Sequence, residues 1–165
     1  MPIYLQLMRT YADLDRNKDL LILASATDIS TGARLVFDQE MFDALCSNVD
    51  AVPLSRAAAA SSAVPVVLSP VTLNNYGGTC NYAPPAGLQL FAGPTSPPRP
   101  AARAKRQIDE RLAFADGAHR PYIHLVDGGV SDNVGMRSVL TVLDMMEALH
   151  RAGVATRFDS ARRAL

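Results

Sequence analysis

The stretch of sequence that decides the fold is Pro121-Tyr122-Ile123-His124-Leu125-Val126-Asp127-Gly128-Gly129. Its first six residues are mostly apolar or aromatic, which predicts a strand that runs directly into the aspartate. Two glycines after a carboxylate let the backbone turn tightly and let another group approach the carboxylate closely. A carboxylate at the end of a buried strand is costly unless it has a partner or a function.

Asp127 has two interpretations on this spacing alone. Catalytic groups gather at the C-terminal ends of strands in α/β sheets, so Asp127 stands where a general base would be useful. An aspartate can also cap a tight turn by accepting hydrogen bonds from nearby backbone N–H groups. The residues themselves leave both interpretations open.

Upstream of this stretch, the sequence predicts a hairpin. Residues 20–24 form a continuous apolar run whose length and flanks favour a buried strand. Residues 34–38 alternate polar and apolar side chains, as a half-exposed strand does. Residues 28–32 join the two and contain Thr31-Gly32, which favours a turn.

The next segment predicts two helices and a further strand. Residues 40–47 form a short helix whose apolar side chains are Met41, Phe42 and Leu45. Pro53 opens an alanine-rich helix over residues 54–63, and Pro65 ends it. Residues 66–68 then form a short apolar strand.

The second half of the chain begins with an irregular segment. Residues 69–100 hold seven prolines and four glycines, which predicts a long insertion without regular structure. An amphipathic helix is expected over residues 101–116, with inward side chains at Ile108, Leu112 and Ala115. A last helix is expected over residues 134–151, with an apolar stripe of Val139, Val142, Leu143, Met146 and Leu149. Strands that alternate with helices indicate an α/β layered domain.

The composition is that of a globular protein with the length of one domain. The chain has 165 residues, of which 48% are hydrophobic, and this length suffices to bury a core. Sixteen basic residues balance sixteen acidic ones, so no net field indicates a nucleic-acid partner. No apolar run reaches the roughly 18 residues of a membrane span, and no signal peptide is visible at the start. The sequence therefore does not determine the cellular compartment of the protein.

The cysteines, Cys46 and Cys80, leave another alternative open. They form neither a CxxC motif nor a spacing typical of zinc sites. They are either two buried free thiols or a disulfide, and a disulfide would imply an oxidising compartment.

Other carboxylates and the histidines are weaker candidates for a site. Asp127 and Asp132 would offer only two carboxylates to a cation. His119 and His124 have the chemistry of bases or metal ligands, but packed or hydrogen-bonded side chains explain them better. His150 suits the C-terminus of a helix. We therefore predict no metal site and no cofactor.

No serine in the sequence meets the requirements of a nucleophile elbow. The pattern G-x-S-x-G places a serine on a sharp strand-to-helix turn, where bulky neighbours would clash. Ser61 and Ser62 follow an alanine-rich segment without those glycines. The stretch that begins at Gly129 has Asn133 in place of the second glycine. A glycine-rich loop after a strand, which could bind an oxyanion, is also absent from the sequence.

Three segments together resemble the patatin-like phospholipases. The strand that ends in Asp127-Gly128-Gly129 is similar to the D-G-G/A motif of that family, whose aspartate is the base of a Ser–Asp dyad. Residues 58–65 are similar to its A-S-x-A-x-P segment. Residues 21–28, with Thr31-Gly32 and Phe37-Asp38 after them, resemble the bacterial branch, which has T-D-x-x-T-G between two strands.

The resemblance spans residues 20–140 and implies a three-layer α/β/α sandwich with a mostly parallel central sheet. It implies hydrolysis of a phospholipid or other lipid ester through an acyl-serine, with Asp127 as the proton acceptor and no catalytic histidine. Gly128 and Gly129 complete the motif, and the segment around Ser61 packs near the site. The implied partners are a lipid or ester substrate and a membrane surface, with no specific protein partner.

The resemblance also places the glycine-rich oxyanion loop and the nucleophilic serine upstream of Met1. Residues 1–165 would then be a partial domain without its N-terminal part, inactive by itself. The alternative is a non-catalytic relic or binding module that retains the second half of the fold. A third hypothesis is that another chain supplies the serine.

Overall fold

The structure, a computed structural model, describes residues 9–14, 22–84 and 98–132 and four later helical positions, Met136, Arg137, Leu140 and Leu143. In chain order, its strands are β1 (Ser25–Asp28), β2 (Arg34–Val36), β3 (Val71–Asn74) and β4 (Tyr122–Asp127). These described strands form a four-stranded sheet in the order β2-β1-β4-β3, and each neighbouring pair is antiparallel. In the register, Ala26 lies opposite Leu35 on one side and Asp127 on the other.

The expected three-layer α/β/α sandwich with a mostly parallel sheet is wrong, because the described strands all pair antiparallel. A short turn joins β1 to β2, and only antiparallel strands can be connected in this way. β4 alternates exposed and buried residues along most of its length. This alternation is typical of an antiparallel sheet with one covered face, whereas parallel strands are buried on both faces. A helix between two strands does not make them parallel if the second strand runs in the direction opposite to the first.

The predicted hairpin is confirmed, but its first strand lies further along the chain. β1 begins at Ser25, and Ile22 and Leu23 are 46% and 48% exposed. The turn sets this register, because Gly32 has a φ of +69° and Thr27 pairs with Arg34. The apolar run at residues 20–24 is therefore not the buried strand, and its first two residues lie outside the described part of the chain.

The described helices agree with most of the predictions. They are α1 (Gln39–Ala44), α2 (Leu54–Ser61), α3 (Pro98–Phe114) and α4 (Gly129–Asp132). The Asp38 carboxylate accepts a hydrogen bond from the Met41 N–H at 2.7 Å, so this side chain caps α1. Pro53 directly precedes α2, as expected. Two short 3-10 turns are present at Tyr11–Asp13 and Val49–Ala51.

Three further predictions are corrected by the structure. Residues 66–68 form an exposed turn instead of a strand, because none of the described strands pairs with them. The segment 69–100 contains β3, whose Val71 and Leu73 pack against the core, so it is not wholly irregular. Leu112 is exposed, and Arg111 and Phe114 are the buried residues of that part of α3. Most of the last predicted helix lies outside the described residues; the four positions described there are helical and exposed.

The core joins one face of the sheet to α1, α2 and α3. Ala57 and Ala60 of α2 are completely buried, which lets this helix pack closely on β1 and β4. Phe37 lies at the centre of an aromatic group, with its ring 6.5 Å from Tyr11 and 5.8 Å from Phe42. Apolar burial of this kind supplies most of the stability of a domain of this size.

Cys46 and Cys80 form a disulfide, which resolves the two alternatives that the sequence left open. Their Cα atoms are 5.6 Å apart. The bond ties the end of α1 to the loop that follows β3. Among the described residues, no helix has both the length and the apolar character needed to cross a membrane.

Candidate functional site

Three separate segments of the chain meet at Asp127. The Asp127 N–H donates to the Ala63 carbonyl at 2.9 Å, and the Gly128 N–H donates to the Ser61 carbonyl at 3.3 Å. On the other side, the Thr27 hydroxyl donates to the Asp127 carbonyl at 2.9 Å. These are the three segments on which the family resemblance rests, and they meet at the main chain of Asp127 and Gly128. Asp127 itself is half-buried.

Gly128 is required because the backbone of β1 lies very close to it. A Cβ atom at this position would lie 2.3 Å from the Ser25 carbonyl oxygen and 3.0 Å from the Ser25 hydroxyl oxygen. No side chain fits at such distances. The close approach expected from the two glycines is therefore made by strand β1, which packs against the turn itself.

Among the described residues, the Asp127 carboxylate has one hydrogen-bond partner. Its Oδ1 atom accepts from the Gly129 N–H at 2.7 Å, which is the turn-capping bond that one interpretation required. Its second oxygen has no hydrogen-bond partner among the residues that the structure describes. A half-buried carboxylate that is oriented through one oxygen retains the other for accepting a proton.

Hydroxyl groups lie beneath this turn. The Thr27 Oγ1 and Ser131 Oγ atoms are 2.9 Å apart, and the Ser131 N–H donates to Thr27 Oγ1 at 3.2 Å. The Ser131 hydroxyl also lies 3.3 Å from the Gly128 carbonyl oxygen. These contacts hold the start of α4 against β1. Sequence reasoning missed them because a threonine within a strand carries no local signal of such a contact.

Asp28 is a second aspartate that sequence reasoning did not assign. It is completely buried, forms an ion pair with Arg120, and accepts hydrogen bonds from the Thr31 hydroxyl at 2.5 Å and the Ser30 N–H at 3.3 Å. The Arg120 guanidinium also lies 6.0 Å from the centre of the Phe114 ring. This arrangement anchors the β1–β2 turn to the segment after α3, and we assign it a structural role.

The alternative of a cation between Asp127 and Asp132 has no support in the geometry. The Asp132 carboxylate lies 3.5 Å from the Arg34 guanidinium and accepts a hydrogen bond from the Arg137 N–H at 3.0 Å. Within residues 9–14, 22–84 and 98–132 and the four later positions, no three histidine, cysteine, aspartate or glutamate side chains are grouped as metal ligands.

His119, His124 and Ser62 are bonded away from the Asp127 carboxylate. His124 and Thr72 form a hydrogen bond of 3.0 Å across β4 and β3, as expected for a hydrogen-bonded strand histidine. His119 contacts Asp116 at 2.9 Å, and this hydrogen bond holds the pKa of the Asp116 carboxyl below its ordinary value. The Ser62 hydroxyl donates to the Ala58 carbonyl at 2.8 Å, at the C-terminal end of α2. His150 lies outside the described residues.

A separate cleft of about 590 Å³ lies beside the disulfide, lined in part by Glu40, Asp43 and Tyr82. Burial raises the pKa of the Tyr82 phenol. Arg111 borders this region through an ion pair of 3.1 Å with Glu40. The cleft shares no lining residue with the three segments around Asp127.

Comparison of the chain with protein-family models, with curated proteins and with solved structures finds no match. The resemblance to patatin-like phospholipases therefore stays a prediction.

Proposed function

We propose that this chain provides the general-base aspartate, Asp127, of a patatin-like serine hydrolase that acts on lipid esters. The nucleophilic serine would come from a polypeptide segment outside residues 1–165. Asp127, Gly128 and Gly129 form the part of the site that this chain contributes.

The observation that carries the proposal is the state of the Asp127 carboxylate. One of its oxygens is fixed by the Gly129 N–H, and the other has no partner among the described residues. A side chain held in this way needs no histidine to orient it. The convergence of residues 61–63 and Thr27 on the same turn adds support, because the family resemblance was drawn from these segments separately.

In the proposed reaction, the serine Oγ attacks the ester carbonyl carbon while its proton passes to the second oxygen of Asp127. The leaving alkoxide takes this proton, and an acyl-serine ester remains. A water molecule then gives its proton to Asp127 and its hydroxyl to the acyl carbon. The serine oxygen recovers the proton as the carboxylic acid leaves.

The first test concerns the DNA upstream of Met1. We expect its translation to contain G-x-G-x-x-G and G-x-S-x-G in frame, and we expect the extended protein to hydrolyse a short p-nitrophenyl ester. Asp127→Asn should lower kcat by about 10²–10⁴-fold, the usual contribution of a general base. Asparagine keeps an oxygen for the Gly129 N–H but cannot take the proton of the serine.

The matched control is Asp109→Asn, which removes an exposed carboxylate on α3 and should leave kcat unchanged. If the upstream DNA encodes no such serine, the same proposal requires a second chain. That chain should co-purify and react with a fluorophosphonate probe. Absence of both sources, or full activity of Asp127→Asn, would overturn the proposal.

A non-catalytic binding module is the second candidate function, and the Gly129 hydrogen bond favours it. This bond makes Asp127 a turn cap whether or not a reaction takes place. If this second function is correct, fluorophosphonate labels neither the extended protein nor a co-purified chain.

A further inference from the structure

The disulfide between Cys46 and Cys80 lies at the surface of the protein, in the wall of the cleft beside α1. Both cysteines line this cleft. Cys80 is exposed and Cys46 is half-buried, so the bond is open to a thiol at its Cys80 end. Disulfides that are exposed or strained exchange with thiols more readily than buried, relaxed ones do.

The backbone at Cys46 is in a conformation that suits a cysteine poorly. Cys46 has a φ of +50°, just beyond the end of α1, where its N–H donates to the Asp43 carbonyl at 3.0 Å. Glycine is the residue that usually takes this left-handed position after a helix, because it has no Cβ atom to clash. The end of the helix therefore does not account for a cysteine here, whereas the bond to Cys80 does.

The loop around Cys80 depends on the disulfide for its attachment to α1. This loop, residues 79–83, is called the stapled loop. Its backbone hydrogen bonds are local: the Thr79 N–H donates to the Tyr76 carbonyl at 3.0 Å, and the Tyr82 N–H donates to the Cys80 carbonyl at 2.9 Å. In the described part of the chain, the stapled loop is bonded to α1 and its C-terminal end by the disulfide and by the Cys80 N–H, which lies 3.1 Å from Cys46 Sγ.

Tyr82 of the stapled loop is packed at a cost. Its ring is partly buried against the core, but its hydroxyl and the Arg111 Nε atom are both buried without a hydrogen-bond partner among the described residues. Burial raises the pKa of the Tyr82 phenol, and the charge of the nearby Arg111 acts in the opposite direction. Buried polar groups without partners are destabilising, and contact with water would remove this penalty. The position of Tyr82 therefore relies on the bond two residues before it.

We propose that the Cys46–Cys80 disulfide is a redox-responsive site, which a dithiol reductant cleaves in the folded protein, and that cleavage releases the stapled loop so that Tyr82 and Arg111 gain contact with water. This inference does not rest on the proposed function. The cleft and the segments around Asp127 share no lining residue.

The reaction is a thiol–disulfide exchange in two steps. A thiolate of the dithiol attacks the exposed Cys80 sulfur, the bond to Cys46 breaks, and Cys46 leaves as a thiolate that the Cys80 N–H stabilises. The second thiolate of the reductant then attacks the reductant sulfur joined to Cys80, and Cys80 leaves as a thiolate. The dithiol becomes a disulfide, and the two protons that it loses pass to the two cysteines.

The first measurement is reduction of the full chain by dithiothreitol without denaturant. Iodoacetamide then alkylates the free thiols, and mass spectrometry identifies them. We expect both Cys46 and Cys80 to be alkylated while the circular dichroism spectrum stays that of the folded protein.

The second measurement is nitration of tyrosines by tetranitromethane in a protein without the disulfide. In Cys46→Ser combined with Cys80→Ser, Tyr82 should be nitrated at least about tenfold faster than in the oxidised parent. Tyr122, which is 57% exposed, and Tyr11, which is buried, are internal controls whose rates should not change.

A second double variant separates release of the loop from loss of the fold. Cys46→Gly combined with Cys80→Ser places a residue at position 46 that tolerates the φ of +50°. It should melt at a higher temperature than the double serine variant, with Tyr82 equally reactive.

Tyr82→Phe tests whether the unpartnered hydroxyl is coupled to the bond. Phenylalanine keeps the packed ring and removes the hydroxyl, so the closed loop should resist reduction. The equilibrium constant for reduction by dithiothreitol should fall by about tenfold. Tyr76→Phe, at an exposed tyrosine next to the stapled loop, is the matched control and should be reduced like the parent.

The proposal is overturned if the disulfide of the folded parent resists dithiothreitol, or if Tyr82 of both double variants reacts as slowly as in the oxidised parent. It is also overturned if Tyr11 becomes reactive together with Tyr82, because the bond would then hold the whole fold instead of the stapled loop. Equal reduction of the Tyr82→Phe and Tyr76→Phe proteins would contradict the coupling. None of these readouts involves ester hydrolysis, so failure of this proposal can be told apart from failure of the proposed function.

Discussion

Asp28 and Asp127 lie at opposite ends of the pairing between β1 and β4, yet their carboxylates are bound very differently. Asp28 is completely buried and is bound by Arg120, Thr31 and the backbone. Asp127 is half-buried and, within the part of the chain that the structure describes, accepts one hydrogen bond, from Gly129. The alternation of side chains along a strand places both aspartates on the same face of the sheet. Their different surroundings therefore separate a carboxylate that is bound on several sides from one that keeps an oxygen without a partner among the described residues.

The same substitution at the two aspartates should have unequal effects on stability. Asp28→Ala leaves the partly buried Arg120 guanidinium without its carboxylate, which should cost about 3 kcal/mol of unfolding free energy. Asp127→Ala removes the acceptor of the Gly129 N–H hydrogen bond and should cost about 1 kcal/mol of unfolding free energy. Urea denaturation of both variants measures the difference. Equal losses would mean that Asp127 is as structural as Asp28.

A pair of glycine substitutions tests how closely β1 packs against the turn at Gly128. Gly128→Ala places a methyl group against the Ser25 carbonyl oxygen and should cost about 2–3 kcal/mol. Gly32→Ala meets no atom within 4 Å and is disfavoured only by its φ of +69°, so about 1 kcal/mol is expected. Thermal melting of both proteins ranks them. A Gly128→Ala protein as stable as the parent would contradict the close packing of β1 on the turn.

A third carboxylate, that of Asp38, should have the smallest effect on stability, and this effect should depend on pH. Burial raises its pKa above the ordinary 3.8, although the hydrogen bond from the Met41 N–H acts in the opposite direction. The folded protein therefore keeps this proton at pH values where the unfolded chain has lost it. The resulting stability is complete below pH 3.8 and is lost as the pH rises through the raised pKa.

Asp38→Asn still caps α1 and should remove this fall in stability with rising pH. Unfolding free energies of the parent and the variant across this range give the two slopes. Identical slopes would show that Asp38 does not titrate differently in the folded state.

Local patterns were sufficient for the elements that depend on near neighbours. The alternation at residues 34–38 and the turn at Thr31-Gly32 predicted the hairpin. Pro53 marked the start of α2, and the run before Asp127 predicted β4. Each of these signals lies within a few residues of the structure that it specifies.

Contacts between residues far apart in the chain could not be predicted from local sequence patterns. The Asp28–Arg120 pair joins residues that are 92 positions apart, and neither has a neighbour that indicates the other. Strand β3 was hidden by the prolines around it, since its place in the sheet depends on β4. The mostly parallel sheet was implied by the family resemblance, and the order of the elements alone does not determine how strands pair. The turn cap at Asp127 was one of two interpretations that the sequence left open. The family resemblance implied that the segment around Ser61 packs near the site, whereas the hydrogen bond from Thr27 was visible only in three dimensions.

The bond between Cys46 and Cys80 makes a covalent ring of the chain between them, and the exposed turn at residues 64–68 lies within that ring. A protease that cuts the exposed backbone at Val66 or Val67 would therefore open the ring without releasing a piece. The nicked protein would migrate as a single band on a denaturing gel until a thiol reductant separates its two fragments.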